Sequence, residues 1–224
     1  MAVLYVFDDR AFNVFPRDWA EHVRAPDHSL ITNAGEGLSV LVARMLQCLA
    51  PGTLPRLRMM GHGSSGHMAL SANGLSVATV GQFAPLRGRL SGVDLHGCGV
   101  ASAIAQQLRT AVGLNMGQQE LTPGSLDLPW ANTALSAREA LLARELPPET
   151  GRQIRSGAGV QLLMALSRTV GVRVTGAIHG QMPDREWRFE GPTVTAWGDG
   201  LTLTIPAGDT TYGQVPPGSY TVPR

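Results

Sequence analysis

The sequence contains no lysine; all 18 of its basic residues are arginine. That usage fits a GC-rich bacterial genome, or selection against lysine modification in a foreign cytosol, as in an injected toxin. Cysteine is almost missing too, with Cys48 and Cys98 the only two in 224 residues. One pair builds no disulfide framework, so a reducing, intracellular setting is expected. No charge of one sign dominates, since the formal net charge is +1. This removes the electrostatic case for nucleic acid or a membrane surface as a partner. No apolar run approaches the roughly 18 residues of a membrane span. The opening "MAVLYVFDDR" lacks a basic region and a small-residue cleavage site, and it reads as a first strand rather than a signal peptide. Internal repeats and low-complexity tracts are absent.

What is present fits one globular domain over residues 1–224. Hydrophobic residues make up 43% and charged residues 16%, enough apolar surface to bury a core on folding. Residues 2–7 are a continuous apolar run, as in a strand buried on both faces, and end at Asp8-Asp9-Arg10. Residues 29–32 form a weaker strand candidate. In residues 36–49, Leu38, Leu41, Val42, Met45, Leu46 and Leu49 keep the spacing of an amphipathic helix, which Pro51-Gly52 ends. Residues 56–60 read as a strand. A hairpin follows, with Asn73-Gly74 as a type I′ turn. Residues 93–95 are a further buried strand and residues 100–111 a helix.

Residues 115–132 are polar and rich in proline and glycine, as in a surface loop. Ser136 and Glu139 form a capping box before a helix that Pro147-Pro148 closes. Residues 160–170 read as a helix and 171–178 as a strand. Residues 193–197 and 201–205 read as a C-terminal hairpin around Gly198-Asp199-Gly200. The tail 206–224 is expected to be extended and ordered only by docking. Strands alternating with helices predict an α/β three-layer sandwich with a mostly parallel sheet, which binds ligands beyond the carboxyl ends of its strands.

Two chemistry-bearing residues sit at such strand ends. In "LRMMGHGSSGHMAL", His62 stands between Gly61 and Gly63 where an apolar run stops. In "LSGVDLHGCGVASA", Cys98 stands between Gly97 and Gly99 after another. If the two strands are neighbours, both side chains emerge at one edge. A thiolate is the nucleophilic form of cysteine. A nearby imidazole can take its proton and later protonate a leaving amine. Glycine turns offer unobstructed main-chain N–H groups to a developing oxyanion, here those of Gly63 and Cys98. A helix starting just after Cys98 would favour its thiolate. Cys48, inside an amphipathic helix, reads as a small core residue. His67 and His96 flank the two glycine turns, where they line a pocket or serve structural roles.

A strand ending in His-Gly, a hairpin, and 36 positions later a strand ending in Gly-Cys resemble the caspase-like cysteine peptidases. The blocks "MMGHGSSG" and "VDLHGCGVA" are most similar to the bacterial branch, with gingipains, clostripain and the self-processing proteases of RTX toxins. "GVRVTGA" and "RFEGPTVTAWGDG" resemble its later strand and closing hairpin. The resemblance implies a caspase-like α/β/α sandwich and a cysteine endopeptidase acting through an acyl-enzyme. His62 is then the base, Cys98 the nucleophile, and Gly63 and Cys98 the oxyanion donors. It also implies that the loop after the first strand, Asp8, Asp9 and Arg10, contributes to substrate binding, with His96 beside it. Metacaspases carry an aspartate before the Ser-Cys pair, and here His96-Gly97 stand instead. RTX-toxin proteases bind an inositol phosphate on a basic cluster; the arginines here are scattered, so no cofactor is expected. The expected partner is a polypeptide substrate, either the chain itself or a bound or fused passenger protein. The expected location is the bacterial cytoplasm, or export without a signal peptide as an effector.

Three other readings share parts of this pattern. An α/β-hydrolase with a cysteine nucleophile would need a tight elbow, but His96 and Val100 flank Cys98 at two positions on either side, and only His179 follows. A zinc site from His62, His67, His96 and Cys98 lacks helical ligand spacing. A non-catalytic caspase-like module for binding or delivery would keep the fold without the reaction.

Overall fold

The computed structural model describes residues 2–14, 16–102, 148–178, 181, 187–207 and 217–224. In chain order it begins with β1 (Val3–Asp8), a 3-10 helix (Asp9–Asn13), α1 (Arg17–Glu21), β2 (His28–Thr32), α2 (Leu38–Cys48) and β3 (Arg56–Met60). Next come three short strands, β4 (Gly63–Ser64), β5 (His67–Met68) and β6 (Leu75–Ser76), then a 3-10 helix (Val80–Leu86) and β7 (Gly92–His96). The rest is α3 (Pro148–Ser156), α4 (Ala158–Val170), β8 (Val174–Ala177), β9 (Thr193–Trp197), β10 (Gly200–Ile205) and β11 (Gly218–Val222).

The fold is α/β, built on an eight-stranded, mostly parallel sheet in the order β2-β1-β3-β7-β8-β9-β10-β11. β2, β1, β3, β7 and β8 run parallel, and β9, β10 and β11 add antiparallel pairings. Side chains alternate between the two faces of a strand, and both faces carry apolar clusters. Leu4, Val6, Leu57, Met59, Val93 and Leu95 join the larger core, with Leu41 and Met45 of α2 and Leu162, Leu163 and Leu166 of α4. Tyr5, Phe7 and Met60, at the alternate positions, pack with Ala11, Ala20, Phe12, Trp19 and Trp187. Each fully buried leucine or methionine contributes about 1.5–3 kcal/mol relative to exposure.

β3 is not fully apolar, and its polar positions fix its register. Arg56 and Arg58 alternate with buried Leu57 and Met59. Arg56 donates to the nearly buried Asp94 of β7 through Nε at 2.6 Å and Nη2 at 2.5 Å, and the Arg58 Nε lies 3.4 Å from the same carboxylate. The bidentate bond specifies which residues of β3 and β7 stand opposite. Met60 pairs with His96, so His62 and Cys98 each lie two residues beyond a matched pair.

Several sequence expectations meet a different outcome. The loop between β5 and β6 is not a two-residue turn at Asn73-Gly74; positive φ occurs at Ser71 (62°) and Gly74 (67°), and a three-stranded ribbon β4-β5-β6 results. No helix starts at Val100. Gly99 takes φ 58°, and the neighbouring main-chain groups bond sideways: Ala101 N–H to the Ala177 carbonyl, and Gly66 N–H to the Val100 carbonyl. Pro148 opens α3, since proline suits a first helical position, and the helix expected to end at Pro147-Pro148 lies outside the described residues. In the tail, residues 218–222 are extended and dock on β10 as β11, with Tyr220 fully buried, while residues 208–216 lie outside the described residues. The expected loop 115–132, the capping box at Ser136 and Glu139, and residues 103–111 of the expected helix lie outside the described residues. Among the described residues no helix is long and apolar enough to cross a membrane.

Candidate active site

His62 and Cys98 belong to turns that leave adjacent parallel strands at the same end. The turns touch. A Cβ placed on Gly63 would lie 2.8 Å from the Cys98 carbonyl oxygen and 2.9 Å from the Gly97 carbonyl carbon. A Cβ on Gly97 would lie 3.0 Å from the Gly61 carbonyl oxygen. Only glycine lets these main chains approach so closely. The Gly61 N–H donates to the His96 carbonyl at 3.4 Å, continuing the strand pairing into the turns.

The His62 ring is exposed, and the loop after β1 fixes its orientation. Nε2 lies 3.1 Å from the Arg10 carbonyl oxygen and 3.0 Å from Asn13 Oδ1. A ring nitrogen facing a carbonyl oxygen must carry the proton, so Nε2 donates and Nδ1 is left with the lone pair.

The Arg10 carbonyl is held in turn by Asp8. This carboxylate is fully buried and caps the 3-10 helix, accepting the Arg10 main-chain N–H at 3.1 Å. It also accepts Arg10 Nε at 2.6 Å, Arg10 Nη2 at 2.7 Å and the Ser71 N–H at 2.9 Å. Arg10 Nη2 reaches the Ser71 carbonyl at 2.8 Å as well. Of the loop residues expected to meet substrate, Asp8 is thus committed to internal bonds, while Asp9 is exposed and the Arg10 side chain is partly so. His67 is near this network. Burial first, and the Arg10 charge second, hold its imidazole below the ordinary value.

Cys98 is half-buried. Its Sγ accepts the main-chain N–H of Gln181 at 3.3 Å, with the Gln181 carbonyl oxygen 3.9 Å away. The Gln181 side chain bonds twice to the Glu190 main chain: Nε2 donates to the carbonyl at 2.7 Å, and Oε1 accepts the N–H at 3.0 Å. His96 is buried; its ring stacks on Phe189 with centroids 4.4 Å apart and meets Trp187 edge-on at 6.3 Å. Cys48 packs at the margin of the larger core, where burial pushes its thiol up. Among the described residues, no three histidine, cysteine or acidic side chains gather into a group able to hold a metal ion.

Asn13, Gln181, Trp187 and Phe189 were not singled out from the sequence. Asn13 has a faint signal in "DDRAFN", a polar residue on the loop of a candidate site. Trp187 and Phe189 are both half-buried, and the alternate aromatics of "WRF" are their faint sequence signal. Gln181 has no local signal. The chain matches no protein-family model, no curated protein and no solved structure.

Proposed function

We propose that the chain is a cysteine endopeptidase of the caspase-like type, acting through a Cys98–His62 dyad. The observation that carries this reading is the placement of the two residues on touching glycine turns, at one end of neighbouring parallel strands. The apolar clusters on both sheet faces and the antiparallel β9–β10 pair agree with the caspase-like three-layer sandwich and closing hairpin that belong to this reading.

The reaction follows from the groups in place. His62 Nδ1 takes the Cys98 proton, while Nε2–H stays on the Arg10 carbonyl and Asn13. The thiolate attacks the carbonyl carbon of a peptide bond. The N–H groups of Gly63 and Cys98 receive the oxyanion. Imidazolium then protonates the amine as the C–N bond breaks, leaving a thioester on Cys98. His62 deprotonates a water that attacks the thioester, and the returned proton restores the thiol. The substrate is a polypeptide, either the chain itself or a bound or fused partner. On this reading Asp9 and Arg10, next to the His62 support, offer their charges to an incoming side chain.

The α/β-hydrolase alternative has less support, because residues 97–101 form turns rather than the helix that follows a nucleophile elbow. A set of peptidyl acyloxymethyl ketones with varied terminal residues tests the endopeptidase reading. Alkylation of Cys98, lost in His62→Ala, is expected. Alkylation of Cys48 instead, or none at all, counts against it.

A further inference from the structure

The thiol of Cys98 has a main-chain donor that neither glycine turn supplies. We infer that the Gln181 N–H is a hydrogen-bond donor to the Cys98 thiolate, and that the Gln181 side chain holds that donor in place by clamping the Glu190 main chain. This makes Gln181 a positioning residue, and the inference rests on the reading of Cys98 as nucleophile.

Three observations carry it. The Gln181 N–H points at Sγ from 3.3 Å, within reach of a sulfur acceptor. The donor comes from the chain beyond β8, the strand next to β7, so a third strand end joins the two that bear His62 and Cys98. The clamp to Glu190 uses both ends of a buried amide, and its two bonds, at 2.7 Å and 3.0 Å, fix the residue in rotation as well as position. An N–H donor favours the charged form of the sulfur over the neutral one. No helix starts at Cys98 among the described residues, so this N–H stands in the place expected of a helix terminus.

The test uses the full chain carrying Cys48→Ala, so that Cys98 is the only thiol. The rate of iodoacetamide alkylation at Cys98 is followed against pH by peptide mapping, with thiolate absorbance recorded in parallel. Gln181→Met keeps the volume and removes the clamp. It is expected to raise the midpoint by about one pH unit, so that alkylation slows about tenfold below both midpoints. A merely structural role would lower the melting temperature and leave the midpoint alone. Should Gln181→Met fail to fold, Gln181→Asn carries the same test, because its amide is one methylene short of both Glu190 groups. An unmoved midpoint in a folded variant overturns the inference and leaves the nucleophile reading standing. A Cys98 that resists alkylation in the parent protein overturns both.

Discussion

Gly63 and Gly97 meet across the ends of two parallel strands, with the Gly63 Cα 3.3 Å from where a Cβ on Gly97 would stand. This contact ties the His62 turn to the Cys98 turn through main chain, with the Val100 side chain packed against both glycines. It makes the approach of the His62 and Cys98 turns a property of main chain, set by the register of β3 on β7.

The first prediction follows from that contact. In Gly63→Ala the new methyl would fall 2.5 Å from Val100 Cγ2 and 2.8 Å from the Cys98 carbonyl oxygen. The turns must part, at a cost of about 1–3 kcal/mol. Urea denaturation should show this loss, and peptidase turnover should fall with it. Adding Val100→Ala should recover little, because the carbonyl clash is main chain. Full recovery would mean that the turns are not held by main-chain contact.

Asn13 should matter to turnover and not to substrate affinity. Its Oδ1 shares the His62 Nε2 proton with the Arg10 carbonyl. Asn13→Ala removes one of two acceptors, and turnover is expected to drop about tenfold, the worth of about 1.4 kcal/mol of lost orientation. Steady-state kinetics would show a kcat effect with KM nearly constant. An unchanged kcat would leave the Arg10 carbonyl as sufficient support.

Asp8 is expected to act on the fold first. Asp8→Asn keeps the shape but loses the charge on the group that gathers Arg10 and Ser71. Because Arg10 is partly exposed, the loss is put at about 2 kcal/mol rather than the larger cost of breaking a fully buried pair. Thermal melts measure it. A variant as stable as the parent would show that the carboxylate is not needed to anchor this loop.

His67 should make the fold sensitive to acid. Its pKa is lowered in the folded chain, so between that value and the unfolded value of about 6.5 the unfolded state binds more protons. Stability is therefore full above about pH 6.5 and declines as pH falls through that value toward the folded one. His67→Asn should flatten this decline in melts taken between about pH 7 and pH 5. Parallel curves for parent and variant would place the acid sensitivity elsewhere.

Strong local signals located the strands that lead to His62 and Cys98. Leu57, Met59 and Met60 and then Val93 and Leu95 end at glycine, and those residues are strand residues of β3 and β7 in the fold. The α2 stripe was equally legible, because its apolar spacing is helical and Leu38, Leu41, Val42 and Met45 of that stripe are buried; the apolar run 160–170 likewise lies within α4. Residues 100–102 were misread as a helix start because alanine-rich composition cannot reveal the sideways bonds to Ala177 and Gly66. β11 was hidden by proline and glycine around it, although Tyr220 fills the core opposite Leu203. The donors and acceptors around His62 and Cys98 come from residues 10, 13 and 181, far from either motif, and only the sheet order brings them together.

The central claim is that Cys98 attacks a peptide bond. The most direct measurement sets the parent protein beside Cys98→Ala against a peptide library with varied residues before the scissile bond. Reducing conditions are needed, and mass spectrometry should also follow the protein itself for self-cleavage. Removing one sulfur should cost the fold only about 1–2 kcal/mol, which circular dichroism verifies. Losing the nucleophile should cost on the order of 10⁶ in turnover. The account predicts new amino termini from the parent and none from Cys98→Ala. Equal cleavage by both proteins would contradict the assignment of the nucleophile. Cleavage by neither, with calcium and candidate partner proteins also supplied, would contradict the peptidase reading itself.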